Sequence, residues 1–120
     1  MNKCINVIEY RGKQLLLVDL SGCSADNVEQ IVRAVPDYVT AQPFGSVLVL
    51  ADFTGASFDE EAVRTIKEAA VFNKPYVKKS AWVGIASLPL GFKDDIKKFS
   101  RREFHTFIDR QEALDWLTKD

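Results

Sequence analysis

The chain has 120 residues, 47% of them hydrophobic, 28% charged and 11% aromatic, which predicts one domain over residues 1–120 with a core that needs no disulfide or metal staple. The 16 Lys and Arg stand against 17 Asp and Glu, a formal net charge of −1, which excludes a histone-like polycation. Four Pro and six Gly exclude a low-complexity or collagen-like chain.

Near the N-terminus the short apolar set Ile5, Val7 and Ile8 is interrupted by Asn6 and Glu9, so no secretory leader is read there. The longest apolar run, Val47 to Ala51, is far short of the roughly 20 residues that span a bilayer. Cys4 and Cys23 match no metal-ligand spacing. A disulfide between them stays open, but idle thiols in a reducing cytoplasm are the expectation.

In chain order, Cys4 to Tyr10 and Gln14 to Leu20 read as two strands joined by a hairpin, with Gly12 supplying the positive φ of a tight turn. Ser24 caps a helix with the stripe Val28, Ile31, Val32 and Val35, which Pro36 should end or kink. Ser46 to Ala51 is a third strand, apolar on both faces. Ser57 and Glu60 then read as a capping box for a helix that turns Ala62, Val63, Ile66, Ala69 and Ala70 inward and stops before Pro75. Ala81 to Ala86 is a fourth strand, and Phe92, Ile96 and Phe99 mark a short amphipathic helix. Glu103 to Ile108 is a fifth strand, and Asp109 with Glu112 opens a last helix bearing Ala113, Leu114, Trp116 and Leu117. The order β-β-α-β-α-β-α-β-α predicts an α/β sandwich: a mostly parallel five-stranded sheet, an antiparallel N-terminal strand, and helices packed on it.

Chemistry-bearing motifs are few. There is no Gly-rich phosphate loop and no nucleophile elbow. The one histidine, His105, lies on a predicted strand with no marked partner, and reads as a surface or sheet-edge residue. Asp52 closes the third strand, as the acceptor aspartate does in response-regulator receivers, and Ser87 stands where a receiver keeps a hydroxyl. Receivers, however, begin directly with a βα unit and need an acidic pair where only Asp19 is available. They also end the last strand on lysine, where this chain reads Phe107-Ile108-Asp109. Asp52 is therefore read as a loop residue that accepts from nearby N–H groups. No cofactor and no metal is expected.

Charge is unevenly laid out: residues 67–102 carry a net of +6, with Lys74, Lys78, Lys79, Lys93, Lys97, Lys98, Arg101 and Arg102 among them. A solvated helix face accounts for most of this, and an acidic partner or anionic membrane surface is the functional reading. Nucleic acid is not favoured, because Phe92 and Phe99 read as core rather than as stacking platforms. Leu88-Pro89-Leu90-Gly91-Phe92 is oddly apolar for a loop and leads into the basic helix. Packing over the sheet edge explains it, and a mobile flap touching a ligand or a membrane is the alternative.

The ending Arg102-Glu103-Phe104-x-x-Phe107-x-x-x-x-x-Ala113-Leu114-x-Trp116-Leu117, the hairpin start, and the strands Leu-Leu-Leu-Val-Asp-Leu and Val-Leu-Val-Leu-Ala-Asp resemble the small stand-alone SpoIIAA-like proteins of the STAS superfamily. That resemblance covers nearly the whole chain. It implies a non-enzymatic, bacterial-type regulatory module that switches partner proteins, some relatives binding nucleotides or apolar small molecules. In anti-sigma-factor antagonists a serine at the start of the second helix is phosphorylated. Aligned on Phe58, this chain reads Asp59-Glu60-Glu61-Ala62-Val63, so the acceptor serine is missing and the phosphoserine switch is not expected. Fixed carboxylates stand where phosphorylation otherwise adds charge.

Two functional expectations follow. The first is a cytoplasmic module that docks a protein partner through Asp52, Thr54, Ser57, Asp59 and Glu60. The second is a carrier or sensor of an apolar small molecule or lipid, peripheral at the membrane and gated by the 88–92 loop. Its contacts would be Leu88, Pro89, Leu90, Phe92, Lys97, Lys98 and Arg101. A homodimer is compatible with either.

Overall fold

A computed structural model describes residues 3–119. The hairpin forms as expected: β1 (Ile5–Tyr10) runs antiparallel to β2 (Lys13–Asp19), with Ile5 opposite Val18 and Tyr10 opposite Lys13. Its turn holds Arg11 at φ 51° and Gly12 at φ 77°, the left-handed pair whose twist matches the strands. Strands β3 (Val47–Asp52), β4 (Val77–Val83) and β5 (His105–Phe107) are then added in chain order, each parallel to the one before.

Because the strands always step the same way, right-handed crossovers put their helices on one face. Those helices are α1 (Ala25–Val39), α2 (Glu60–Asn73) and α3 (Phe92–Ser100). On that face Leu16, Val18, Ala51 and Trp82 pack with Val28, Ile66 and Ile96. The opposite face is covered by α4 (Arg110–Leu117), where Leu15, Leu50, Ala81 and Val83 meet Ala113 and Leu117. Two covered faces explain why β2 and β3 are apolar without alternation.

Local signals set most boundaries, and tertiary burial overrides several. Pro36 does not end α1. Val39, past the proline, is fully buried at 0% exposure, and the Thr40 backbone N–H and hydroxyl both donate to the Pro36 carbonyl. Burying Val39 outweighs the one hydrogen bond the proline cannot make. The cap of α2 is Asp59, whose side chain accepts from Ala62 N at 2.8 Å, and not Ser57. The Ser57 N–H is held by the Cys23 carbonyl at 2.8 Å, which keeps Ser57 in the loop.

Strand β4 starts and ends earlier than the expected 81–86. Lys78 and Lys79 disguised it, yet Lys79 lays its ammonium 5.0 Å from the Trp116 ring centre and donates to the Trp116 and Lys119 carbonyls. A lysine can line a strand in this way because its stem is apolar. The fifth strand shrinks to three residues, leaving Ile108 86% exposed. On α3, Phe92 and Ile96 enter the core, but Phe99 is 56% exposed and faces outward.

Candidate functional site

Parallel strands deliver their C-terminal ends to one edge of the sheet, where Asp19 and Asp52 stand in register at the ends of β2 and β3. Two neighbouring carboxylates need a cation, and Arg110, in the first turn of α4, supplies it. Its Nε–H donates to Asp52 Oδ2 at 2.7 Å and its Nη2 lies 3.0 Å from Asp19 Oδ1. Asp52 Oδ1 also accepts the Thr54 N–H at 2.9 Å and the Thr54 hydroxyl at 2.7 Å. Asp19 Oδ1 accepts in the same way from the Ser21 N–H and hydroxyl.

Burial alone would raise both aspartates. The bonds from Thr54 and Arg110 to Asp52, and from Ser21 and Arg110 to Asp19, outweigh it and hold both below the ordinary carboxylate value. Burial likewise favours neutral Arg110, but its two carboxylates hold the guanidinium pKa above the usual arginine value.

This cluster fixes the loop that follows β3. Gly22 N–H donates to the Thr54 carbonyl at 2.8 Å, and Gly55 N–H to the Ser87 hydroxyl at 2.8 Å. Gly84, at φ 76°, comes so close that an added Cβ would lie 2.4 Å from Thr54 N, a contact only glycine allows. Cys23, in the neighbouring loop, carries a reduced thiol pushed up first by burial and then by Cys4 beside it.

Beyond the loop, Phe58 and the exposed side of α2 face Pro89 and Phe99 across a groove of about 660 Å³. Asp59, Glu60, Arg64, Lys67 and Glu68 rim it and Val63 lines its floor. The two residue sets singled out in the sequence therefore meet here, Asp59 and Glu60 from one and Pro89 from the other. Thr54 and Ser57 are exposed on the adjoining loop. Asp52 is 5% exposed and supports that loop from within.

Of the apolar segment, Leu88 is half-buried, Leu90 is wholly exposed and Phe92 is 2% exposed in the core. Lys97 pairs with Glu103 at 3.1 Å, while Lys98 and Arg101 are exposed. The run of positive charge does not form one patch. Lys79 is bound over Trp116, and Arg102 turns inward, donating to the Ala70 carbonyl at 3.0 Å and the Ser80 hydroxyl at 2.6 Å. His105 sits exposed on the edge strand, its ring 4.4 Å from that of Trp116.

Sequence reasoning missed Arg110 and the inward turn of Arg102. Arg110 had a signal: two aspartates close adjacent parallel strands, and Arg110 is the only Lys or Arg between Glu103 and Thr118. Arg102 had none, because an arginine ending a basic run looks solvated.

No family model matches the chain, and no curated protein does. Among solved structures it is similar to an uncharacterized protein of the DUF3478 family from Shewanella loihica PV-4, which has a SpoIIAA-like fold. The TM-score is 0.72 at 20% identity, over 94% of this chain and 91% of that one. The fold is SpoIIAA-like: a mixed five-stranded sheet with β1 antiparallel and four helices around it.

Proposed function

We propose that this SpoIIAA-like domain is a non-enzymatic regulatory module of the STAS type, which docks a partner protein in the groove between α2 and α3. The observation that carries this reading is the meeting of Asp59 and Glu60 with Pro89 and Phe99 around one apolar floor. Phe99 at 56% exposure is an aromatic anchor left without cover, of the kind that dominates interface energetics. The partner it fits is an amphipathic segment with an apolar ridge for Phe58, Val63 and Phe99 and a basic residue for the acidic start of α2. The polar cluster at the strand ends supports the same reading, since Asp19, Asp52 and Arg110 satisfy one another and hold the docking loop.

Capture from lysate with wild type, Phe99→Asp and Glu60→Lys as parallel baits tests the proposal. One partner lost by both variants, and still bound by a surface control such as Lys119→Ala, is the expected result. Identical capture by all four removes the groove from consideration.

A second reading draws on Leu90, wholly exposed two residues before α3, the helix that carries Lys97 and Lys98. An apolar tip beside cations fits peripheral contact with an anionic bilayer. Cosedimentation with phosphatidylglycerol vesicles, lost in Leu90→Asp, tests it. No helix among the described residues is long and apolar enough to cross a membrane. Of the 88–92 loop, Pro89 lines the groove beside Phe99, and none of its residues lines the smaller pocket beside Val18 and Trp82.

A further inference from the structure

Strand β1 lies at one edge of the sheet, with no strand beyond it among the described residues. The other edge, β5, is only three residues long. By contrast β1 runs for six residues, Ile5–Tyr10, with no proline and no break in its register against β2. Chains that resist edge pairing shorten such a strand, bulge it or break it with proline, and β1 carries none of these devices. The Asp19 N–H donates to the Cys4 carbonyl at 2.8 Å. In an antiparallel ladder that exchange recurs at every second residue, so Asn6, opposite Leu17, and Ile8, opposite Leu15, also turn their backbone groups to β2. The N–H and C=O groups of Ile5, Val7 and Glu9 therefore point the other way, out of the sheet edge. Val7 is 60% exposed and lines, with Leu16, Tyr38 and Ala41, a groove of about 370 Å³ beside α1.

We infer that β1 pairs antiparallel with β1 of a second copy about a two-fold axis at Asn6, which joins the two sheets into one. In this register Ile5 faces the partner's Val7, and Val7 the partner's Ile5, so outward backbone groups meet outward backbone groups and apolar side chains meet apolar ones. The same register brings Lys3 opposite the partner's Glu9 and Glu9 opposite the partner's Lys3, and both residues are exposed. Sliding the copies until Val7 meets itself would set Ile5 against a carboxylate and Lys3 against Arg11. Charge and apolar pattern thus select one register. A formal net charge of −1 per chain adds little repulsion between copies. The edge shares no residue with the groove between α2 and α3, so the dimer goes beyond the docking reading and leaves that groove open on both copies.

Sedimentation velocity of the full chain at rising concentration tests the inference. Wild type should show a reversible monomer–dimer equilibrium with a Kd on the order of 10 µM, in keeping with an interface below roughly 1,200 Å². Val7→Pro removes an outward N–H and spares the bonds to β2, and should weaken the dimer by about tenfold or more. Should that variant fail to fold, the surface charges carry the test. Glu9→Lys and Lys3→Glu each set like charges face to face at both ends of the pairing and should weaken the dimer by about tenfold. The double variant Lys3→Glu/Glu9→Lys restores opposite charges and should regain wild-type affinity. The inference is overturned by a wild type that stays monomeric, by unchanged dimerisation in folded Val7→Pro, or by a double variant no tighter than the single ones. Phe99→Asp should leave the dimer as it is, so a failed groove and a failed edge are told apart.

Discussion

Two arginines of this chain sit at polar positions in the fold and are treated in opposite ways. Arg110 lies between Asp19 and Asp52, and its charge is met on both sides. Arg102 is partly buried at the edge of the core, where the Ala70 carbonyl, the Ser80 hydroxyl and the Phe104 ring, 4.7 Å away, meet it. The surroundings displace their pKa values in opposite directions, Arg110 upward and Arg102 downward to about 10. A guanidinium held between carboxylates acts as a structural rivet, whereas one given only neutral partners loses part of its preference for the charged form.

The contrast can be broken most forcefully at Arg110. Arg110→Met leaves Asp52, at 5% exposure, without its cation. A loss of about 2–3 kcal/mol in urea-unfolding stability is expected, on the low side for a broken buried pair because the Arg110 end is 40% exposed and screened. Gly84→Ala attacks the same loop from the other side. Its Cβ would meet Thr54 N at 2.4 Å with φ at 76°, and a loss of about 2 kcal/mol is expected from strain and displacement together.

Acid sharpens the comparison. Asp19 and Asp52 are both held below the ordinary aspartate pKa of 3.8. Their contribution is therefore complete above that value and lost as pH falls through the lower folded-state values. Wild-type urea midpoints should drop as the pH falls below 3.8, and Arg110→Met should show a shallower drop because less is left to lose. Asp59→Ala should cost about 1 kcal/mol as the loss of a helix cap, and Ser57→Ala less than about 0.5 kcal/mol, the reverse of what the capping-box pattern implies. Arg102→Met, by contrast, should cause no loss and raise stability by at most about 1 kcal/mol, because an apolar side chain replaces a partly buried charge without a counter-ion. A loss there as large as that at Arg110 would erase the distinction between the two arginines.

The sheet was legible in the sequence wherever burial on both faces wrote continuous apolar runs, as in Leu15 to Val18 and Val47 to Ala51. Legibility failed where a side chain of one character does the work of another. Lys79 lines a strand on the strength of its aliphatic stem, and Pro36 rides inside α1 because Val39 must be buried. Of the candidate site, Asp59, Glu60 and Pro89 were visible as local oddities. The groove they form was not, because Phe99 sits at a helical spacing that reads as core and the packing of α3 turns it outward. The strand-end cluster needed the register of two strands and the approach of a helix from the far end of the chain. No spacing rule within one segment contains that information.

Helix α2 is a wall with two rooms. Val63 and Lys67 face the groove, while Ile66 and Ala70 face the smaller pocket on the other side. Both faces belong to one rigid 14-residue helix, so a change of volume at Ile66 or Ala70 is felt at the groove as a displacement of the whole element.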